Sequence, residues 1–175
     1  MNQHLPYDQN DISGLIEALK HEQRYIRIAA VESLRNLGDR AAVPGLIAAL
    51  QDKDWGVRWV AAGALGEIRS VDAVPDLLIA MQSQDPILRE VSAQSLVKIG
   101  KSAVVGLLAA LQSEDKEIRI IAAQALGEIQ NSLAVSGLLE ALQDEDWVVR
   151  WKAVKALEKI GTSDAMAAVE RWRSL

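Results

Sequence analysis

Fifteen residues, Asp54 to Ile68 (Asp-Trp-Gly-Val-Arg-Trp-Val-Ala-Ala-Gly-Ala-Leu-Gly-Glu-Ile), form a frame that the chain restates four more times. Its arginine keeps the beat: Arg27, Arg58, Arg89, Arg119 and Arg150 are separated by 31, 31, 30 and 31 residues. Each follows an aliphatic residue and is followed by small residues at +3 or +4, Leu at +7 and Leu or Ile at +10. A fixed period of this length specifies a stacked array of one supersecondary unit, because each copy buries its apolar face only against its neighbours. The expected fold is all-α, an α-solenoid of about five and a half repeats of ~31 residues.

Within each repeat two helices are legible. The apolar sets Ile12, Leu15, Ile16, Leu19; Val43, Leu46, Ile47, Leu50; Val74, Leu77, Leu78, Met81; Val104, Leu107, Leu108, Leu111; and Val135, Leu138, Leu139, Leu142 each fall at helical spacing and define a helix A. Asp11 caps the first of these, and Pro44 and Pro75 stand in first turns, where a missing amide hydrogen costs little. An acidic turn follows, whose last residue (Asp54, Asp85, Asp115 or Asp146) is placed to N-cap a helix B that carries the arginine; Gln23 makes a weaker cap in the first repeat. Core positions of helix B are Val57, Ala61, Leu65, Ile68 and their counterparts Ile118, Ala122, Leu126, Ile129, with Gly66 and Gly127 permitting close helix approach. Gly38, Gly100 and Gly161 are expected helix stops, and the one-residue shortening is expected between Ile99 and Ala103. The implied boundaries are a flexible lead-in at 1–10 and one repeat domain at 11–175, with repeats 11–38, 39–69, 70–100, 101–130 and 131–161. A cap helix over 162–175 turns Glu170 and Arg173 outward.

Composition narrows the function. The chain has 50% hydrophobic residues, no Phe, two Tyr and five Trp, so its few large aromatics are candidates for special positions. Without Cys there is no disulfide, zinc-thiolate site or cysteine nucleophile. A net charge of −5 disfavours nucleic acid, whose phosphates require a basic surface. Residues 1–10 lack the basic start and apolar run of a secretory signal, and no stretch approaches a membrane span. The expected location is cytoplasmic, with no membrane partner.

The frame at 54–68, followed by Asp72-Ala-Val-Pro-Asp-Leu-Leu, resembles the short HEAT-like repeat named after phycobilisome lyases, and the likeness covers nearly the whole chain. That resemblance implies a right-handed superhelix with helices A on the convex side and helices B lining a concave, partner-binding side. Its functional range spans subunits of phycocyanobilin lyases, bilin-detaching proteins and noncatalytic scaffolds.

Two sets of residues stand out. The arginines Arg27, Arg58, Arg89, Arg119 and Arg150 are read as an inter-repeat ladder with the capping Asp54, Asp85, Asp115 and Asp146, rather than as an anion track. The positions after each arginine point away from the helix A stripe, yet are apolar: Trp59, Val60, Val91, Ile120, Ile121 and Trp151 form the expected partner-binding groove, joined by Lys152 and Lys155. Stacking of neighbouring B helices is the alternative use for Val60, Val91 and Ile121. Lys159 shares the side of Trp151, whereas Glu67, Glu90, Glu117 and Glu128 hold comparable places earlier; a face that runs from acidic to basic and so orients a partner is one reading of this, an ordinary solvated face the other. Trp55 and Trp147 are expected to staple turns, and Trp172 to belong to the cap. His4 and His21 do not form a metal-ligand spacing, and His21-Glu22 is a single pair, so neither catalytic residues, metal nor cofactor is expected. The leading expectation is a noncatalytic scaffold for another protein. The alternatives are a bilin lyase or lyase-like chaperone subunit, whose partner would be a phycobiliprotein or a second lyase-type subunit, and a self-associating array.

Overall fold

The structure, a computed structural model, describes Asp8 and residues 11–174. The expected lead-in, with His4 and Pro6, lies outside the described residues except for Asp8. Short and long helices alternate: α1 (Ile12–Ala18), α2 (Arg24–Leu37), α3 (Val43–Ala49), α4 (Trp55–Ile68), α5 (Val74–Ala80), α6 (Pro86–Ile99), α7 (Val104–Ala110), α8 (Lys116–Ile129), α9 (Val135–Ala141), α10 (Trp147–Ile160) and α11 (Ser163–Arg173). There is no strand among the described residues, and the fold is an α-solenoid. Among the described residues no helix is long and apolar enough to cross a membrane. Four of the short helices are entered through a 3-10 turn, at Arg40–Ala42, Val71–Ala73, Lys101–Ala103 and Ser132–Ala134. The shortened connection is residues 100–103, against 38–42, 69–73 and 130–134 elsewhere.

Caps fix the helix starts. The carboxylates of Asp54, Asp85, Asp115 and Asp146 accept from the amides of Gly56, Ile87, Glu117 and Val148 at 2.9, 3.0, 2.9 and 2.8 Å, while Gln23 makes no side-chain cap bond. Gly38, Gly100 and Gly161 have φ of 66°, 85° and 68° and end their helices; Arg69 and Gln130 do the same at 53° and 54°.

The helices group into two compact units, residues 1–95 and 96–175, whose boundary falls inside α6. In the first, α2 packs on α4 and α3 on α4. Its core is built on Leu15, Leu34, Leu46, Leu50, Leu65, Leu77 and Met81, each with less than 2% of its surface exposed or close to it. In the second, α8 packs on α10, which also meets α9 and α11, around Leu96, Leu107, Leu126, Leu138 and Leu157. Ile68 and Ile129 close the ends of their core stripes only half buried.

Arginine bridges from its own turn to the next, at Arg27 and Arg119 through an aspartate other than the cap. Arg27 Nη1 donates to the carbonyls of His21 and Glu22 at 2.8 and 2.9 Å, closing the turn of its own repeat. Its remaining donors fork onto Asp52 of the next turn at 2.7 and 2.8 Å. Arg119 repeats the arrangement on Ser113, Glu114 and Asp144, and its hydrogen bonds to Asp144 raise an already high pKa. The partner is thus the aspartate two residues before the cap. The capping aspartates bind other groups: Asp54 takes Arg24 at 3.5 Å and Asp146 takes Lys116 at 3.1 Å. Where Ser83 replaces that aspartate, Arg58 keeps the carbonyls of Asp52 and Lys53 but reaches Asp85 only at 3.8 Å. Its side chain is 26% exposed, against 4% for Arg27. Arg150 closes its own turn on the Asp144 and Glu145 carbonyls.

Small residues bring the long helices together. A Cβ at Gly66 would stand 2.7 Å from Ser95 Cα, and Ser95 Oγ uses this proximity to donate to the Ala62 carbonyl at 2.8 Å. One turn earlier in α4, a Cβ at Gly63 would meet only Val91 Cγ1 at 3.9 Å. Two alanine substitutions in one helix should therefore have opposite signs. Gly63→Ala is expected to stabilise by about 0.5–1 kcal/mol through lost backbone freedom in the unfolded chain. Gly66→Ala is expected to destabilise by about 1–3 kcal/mol through overpacking, and urea unfolding of each variant reads the difference.

Titration of the caps gives a second expectation. Burial pushes the Asp85 carboxyl up, but hydrogen bonds from the Trp59 indole and the Leu88 and Ile87 amides, with the Arg58 charge, outweigh it and hold the pKa below the ordinary value. The Lys116 hydrogen bond, with the Val148 amide, likewise lowers Asp146. A carboxyl whose pKa is depressed on folding adds stability above its unfolded pKa and loses it as pH falls through the folded one. The urea midpoint should therefore fall below about pH 4, and Trp59→Phe should move the Asp85 titration upward in NMR.

Candidate protein-binding surface

In the first unit, the three residues expected on the binding face are half buried rather than free. Trp59 donates its indole N–H to Asp85 at 2.7 Å, and its ring lies 4.3 Å from that of Trp55. Val91 lies over Gly63, and Val60 is half buried. The polar edge of Trp59 is therefore committed to the next helix cap, and the face here is partly closed. Trp55, one turn before Trp59, is 52% exposed, and Trp147 is 66% exposed. Trp55 packs on Trp59 all the same, with ring centres 4.3 Å apart.

The second unit is more open. Ile120 and Ile121 on α8 are half buried, while Trp151 on α10 is 42% exposed. Trp151, Lys152 and Lys155 come together with Lys159, Gln124 and Glu128 around a cleft of ≈ 260 Å³ between α8 and α10. Its floor is set by Gly127, where an added Cβ would stand 2.7 Å from Ala156 Cα. Helices this close leave long side chains at the rim to stand apart and wall a shallow depression.

The rim is electrostatically uneven. Lys152 Nζ donates to Gln124 Oε1 at 2.6 Å and stands 5.5 Å from the centre of the Trp151 ring. Gln124 in turn donates to Glu128 at 3.1 Å. Lys155 pairs with Glu158 at 2.9 Å, and Glu158 is shared with Arg173 of the last helix. Gln124, which orients Lys152, carries no signal in the sequence, since its side chain matters only once α8 and α10 are adjacent.

His21 accepts from the Gln23 amide through Nδ1 at 3.1 Å, which supplies the turn bond that Asp52, Ser83, Ser113 and Asp144 supply in the other repeats. Among the described residues no group of His, Asp and Glu could hold a metal ion.

A comparison with curated proteins gave no match. Among solved structures, the complex of CpcE and CpcF of phycocyanin lyase from Nostoc sp. is similar at 25% identity and a TM-score of 0.63, over 89% of this chain and 67% of that one. An engineered protein is similar at 23% identity and a TM-score of 0.61, over 94% and 86%. A chain from a structure of microtubule plus-end tracking is similar at 14% identity and a TM-score of 0.68, over 91% and 88%. The last two likenesses concern the fold alone. The model of HEAT repeats matches residues 12–97 and 104–174, and with that coverage the chain belongs to the HEAT-repeat family.

Proposed function

We propose that this HEAT-repeat protein is a noncatalytic cytoplasmic scaffold that binds another protein on the face of its long helices, with Trp151 as the anchor. The fold is suited to protein binding, since a stacked array presents side chains from successive helices side by side. The observation that carries the reading is the 42% exposure of Trp151 beside a cleft. Leaving an indole in water forfeits burial that a partner restores, and exposed tryptophans at such places are frequent binding hot spots. Lys152 and Lys155 flank the anchor, and Ile120 and Ile121 extend the apolar surface along α8. Trp59, Val60 and Val91, in the first unit, are half buried and in part used for packing.

A second reading is a lyase-like subunit that acts on phycobiliproteins. The similarity to the CpcE and CpcF complex supports it. Trp151 and the neighbouring lysines have the chemistry to hold the rings and propionates of a bilin.

Capture from lysate with immobilised wild-type chain and with Trp151→Ala tests both readings. Truncating a hot-spot tryptophan costs about 2 kcal/mol or more, roughly 30-fold in affinity, so a defined protein retained by the wild type should be lost by the variant. Equal recovery from both would rule out Trp151 as the anchor. A visible bilin band in the eluate would favour the lyase-like reading. Trp59→Ala is a poor probe, because it also removes a donor from the Asp85 cap.

A further inference from the structure

We infer that the cleft between α8 and α10 takes an acidic segment of the partner, with a carboxylate seated against Lys152 and Lys159 and an aliphatic residue laid on Trp151. This inference rests on the scaffold reading and names the chemistry that the scaffold selects.

The chain is acidic overall, at −5, yet three lysines and one glutamate line this cleft. The same helical positions in earlier repeats hold Ala29, Val60, Val91 and Ile121 where Lys152 stands, and Glu32, Gly63, Gln94 and Gln124 where Lys155 stands. Only the last long helix bears this basic stripe.

Elsewhere in the fold some lysines answer a local carboxylate, as Lys20 answers Glu17 and Lys116 answers Asp146. Those of the cleft are answered poorly. Lys152 is half buried and its hydrogen-bond partner is the neutral amide oxygen of Gln124, 2.6 Å away. The bond orients the ammonium without neutralising it. Glu128, the carboxylate of the cleft, accepts from Gln124. Lys159 has no carboxylate partner among the described residues. Glu158, which pairs with Lys155, is also held by Arg173, so Lys155 can turn to a ligand without leaving Glu158 unpaired.

A half-buried ammonium with no anion gains most from one, since the partly desolvated rim strengthens the attraction and screens it less than open water does. Trp151 adds an apolar wall at the same rim, 5.5 Å from Lys152 Nζ to its ring centre. The pairing of cations with an exposed indole calls for a ligand that alternates carboxylates and aliphatic groups. An acidic amphipathic peptide has that chemistry, and a basic or neutral one does not.

The test is fluorescence anisotropy with a fluorescein-labelled dodecapeptide of Glu and Leu at helical spacing, and with its Gln and Leu counterpart. The Glu peptide is expected to bind the wild-type chain at least about tenfold more tightly than the Gln peptide, with an affinity that falls as salt rises. Lys152→Glu/Lys159→Glu should remove that preference, the milder Lys159→Gln should reduce it, and circular dichroism should show both variants folded. Trp151→Ala should weaken the Glu peptide as well. Equal binding of the two peptides, or an unchanged preference after charge reversal, overturns the acidic selectivity. If the two bind equally and Trp151→Ala abolishes both, the scaffold reading stands and the selectivity falls. Binding of neither peptide also overturns the inference, leaving the scaffold reading to the capture experiment. Sedimentation that shows self-association reversed by the lysine substitutions would assign the cleft to a second copy, against the proposal.

Discussion

The guanidinium of the repeat arginine is the group on which the junctions at Arg27 and Arg119 depend. A turn between a short and a long helix leaves carbonyls that no helix can satisfy. Arg27 and Arg119 each donate to two of these, and so fix the path of the chain from one helix to the next. The rest of the fork then grips a carboxylate on the following turn. One side chain thereby sets both the angle within a repeat and the register between repeats. Planarity makes this possible, since five donors in a rigid fork serve two acceptors on each side, which an ammonium cannot do.

With the junction handled by arginine, the outward positions of the long helices are released from structural duty, though unequally. In α4, Trp59 is drawn back into service as a donor to the Asp85 cap. In α10 the equivalent residue, Trp151, is 42% exposed and borders a cleft edged by lysines. The same frame therefore yields a structural tryptophan in one repeat and a candidate anchor in another. Function in a repeat protein resides in such departures, because the positions that keep the period are occupied by the core and the junction.

The period alone was enough to read the helices, their caps and their core, since burial at 3.6-residue spacing and cap chemistry both repeat with it. Asp54, Asp85, Asp115 and Asp146 cap where expected because the cap position is the same in every copy. What does not repeat was not legible. The acceptor of the arginine fork is Asp52 or Asp144, but the same position holds His21, Ser83 and Ser113 elsewhere, so no pattern marks it. Arg69 and Gln130 end helices with positive φ although neither is glycine, because the junction imposes the stop that the residue does not favour. At the cleft, Trp151 and its lysines were visible as a side of one helix. Gln124 was not, because it reaches the cleft from another helix, and Glu128 was legible only as an acidic position of an earlier repeat.

The most direct test of this account is a reciprocal exchange, Asp52→Ser and Ser83→Asp, each measured by urea unfolding. Serine at this position still accepts the turn amide, as Ser83 does from Asp85 at 3.1 Å and Asp52 does from Asp54 at 2.8 Å, so the exchange alters the fork and spares the turn. Loss of the buried carboxylate beneath Arg27 should destabilise by about 3–5 kcal/mol. A new carboxylate in reach of the more exposed Arg58 should stabilise by up to about 1 kcal/mol. Opposite signs of these sizes would support the arginine fork as the junction of the fold. Two small changes of the same sign would contradict it, and would place the strength of the junction in the apolar core instead.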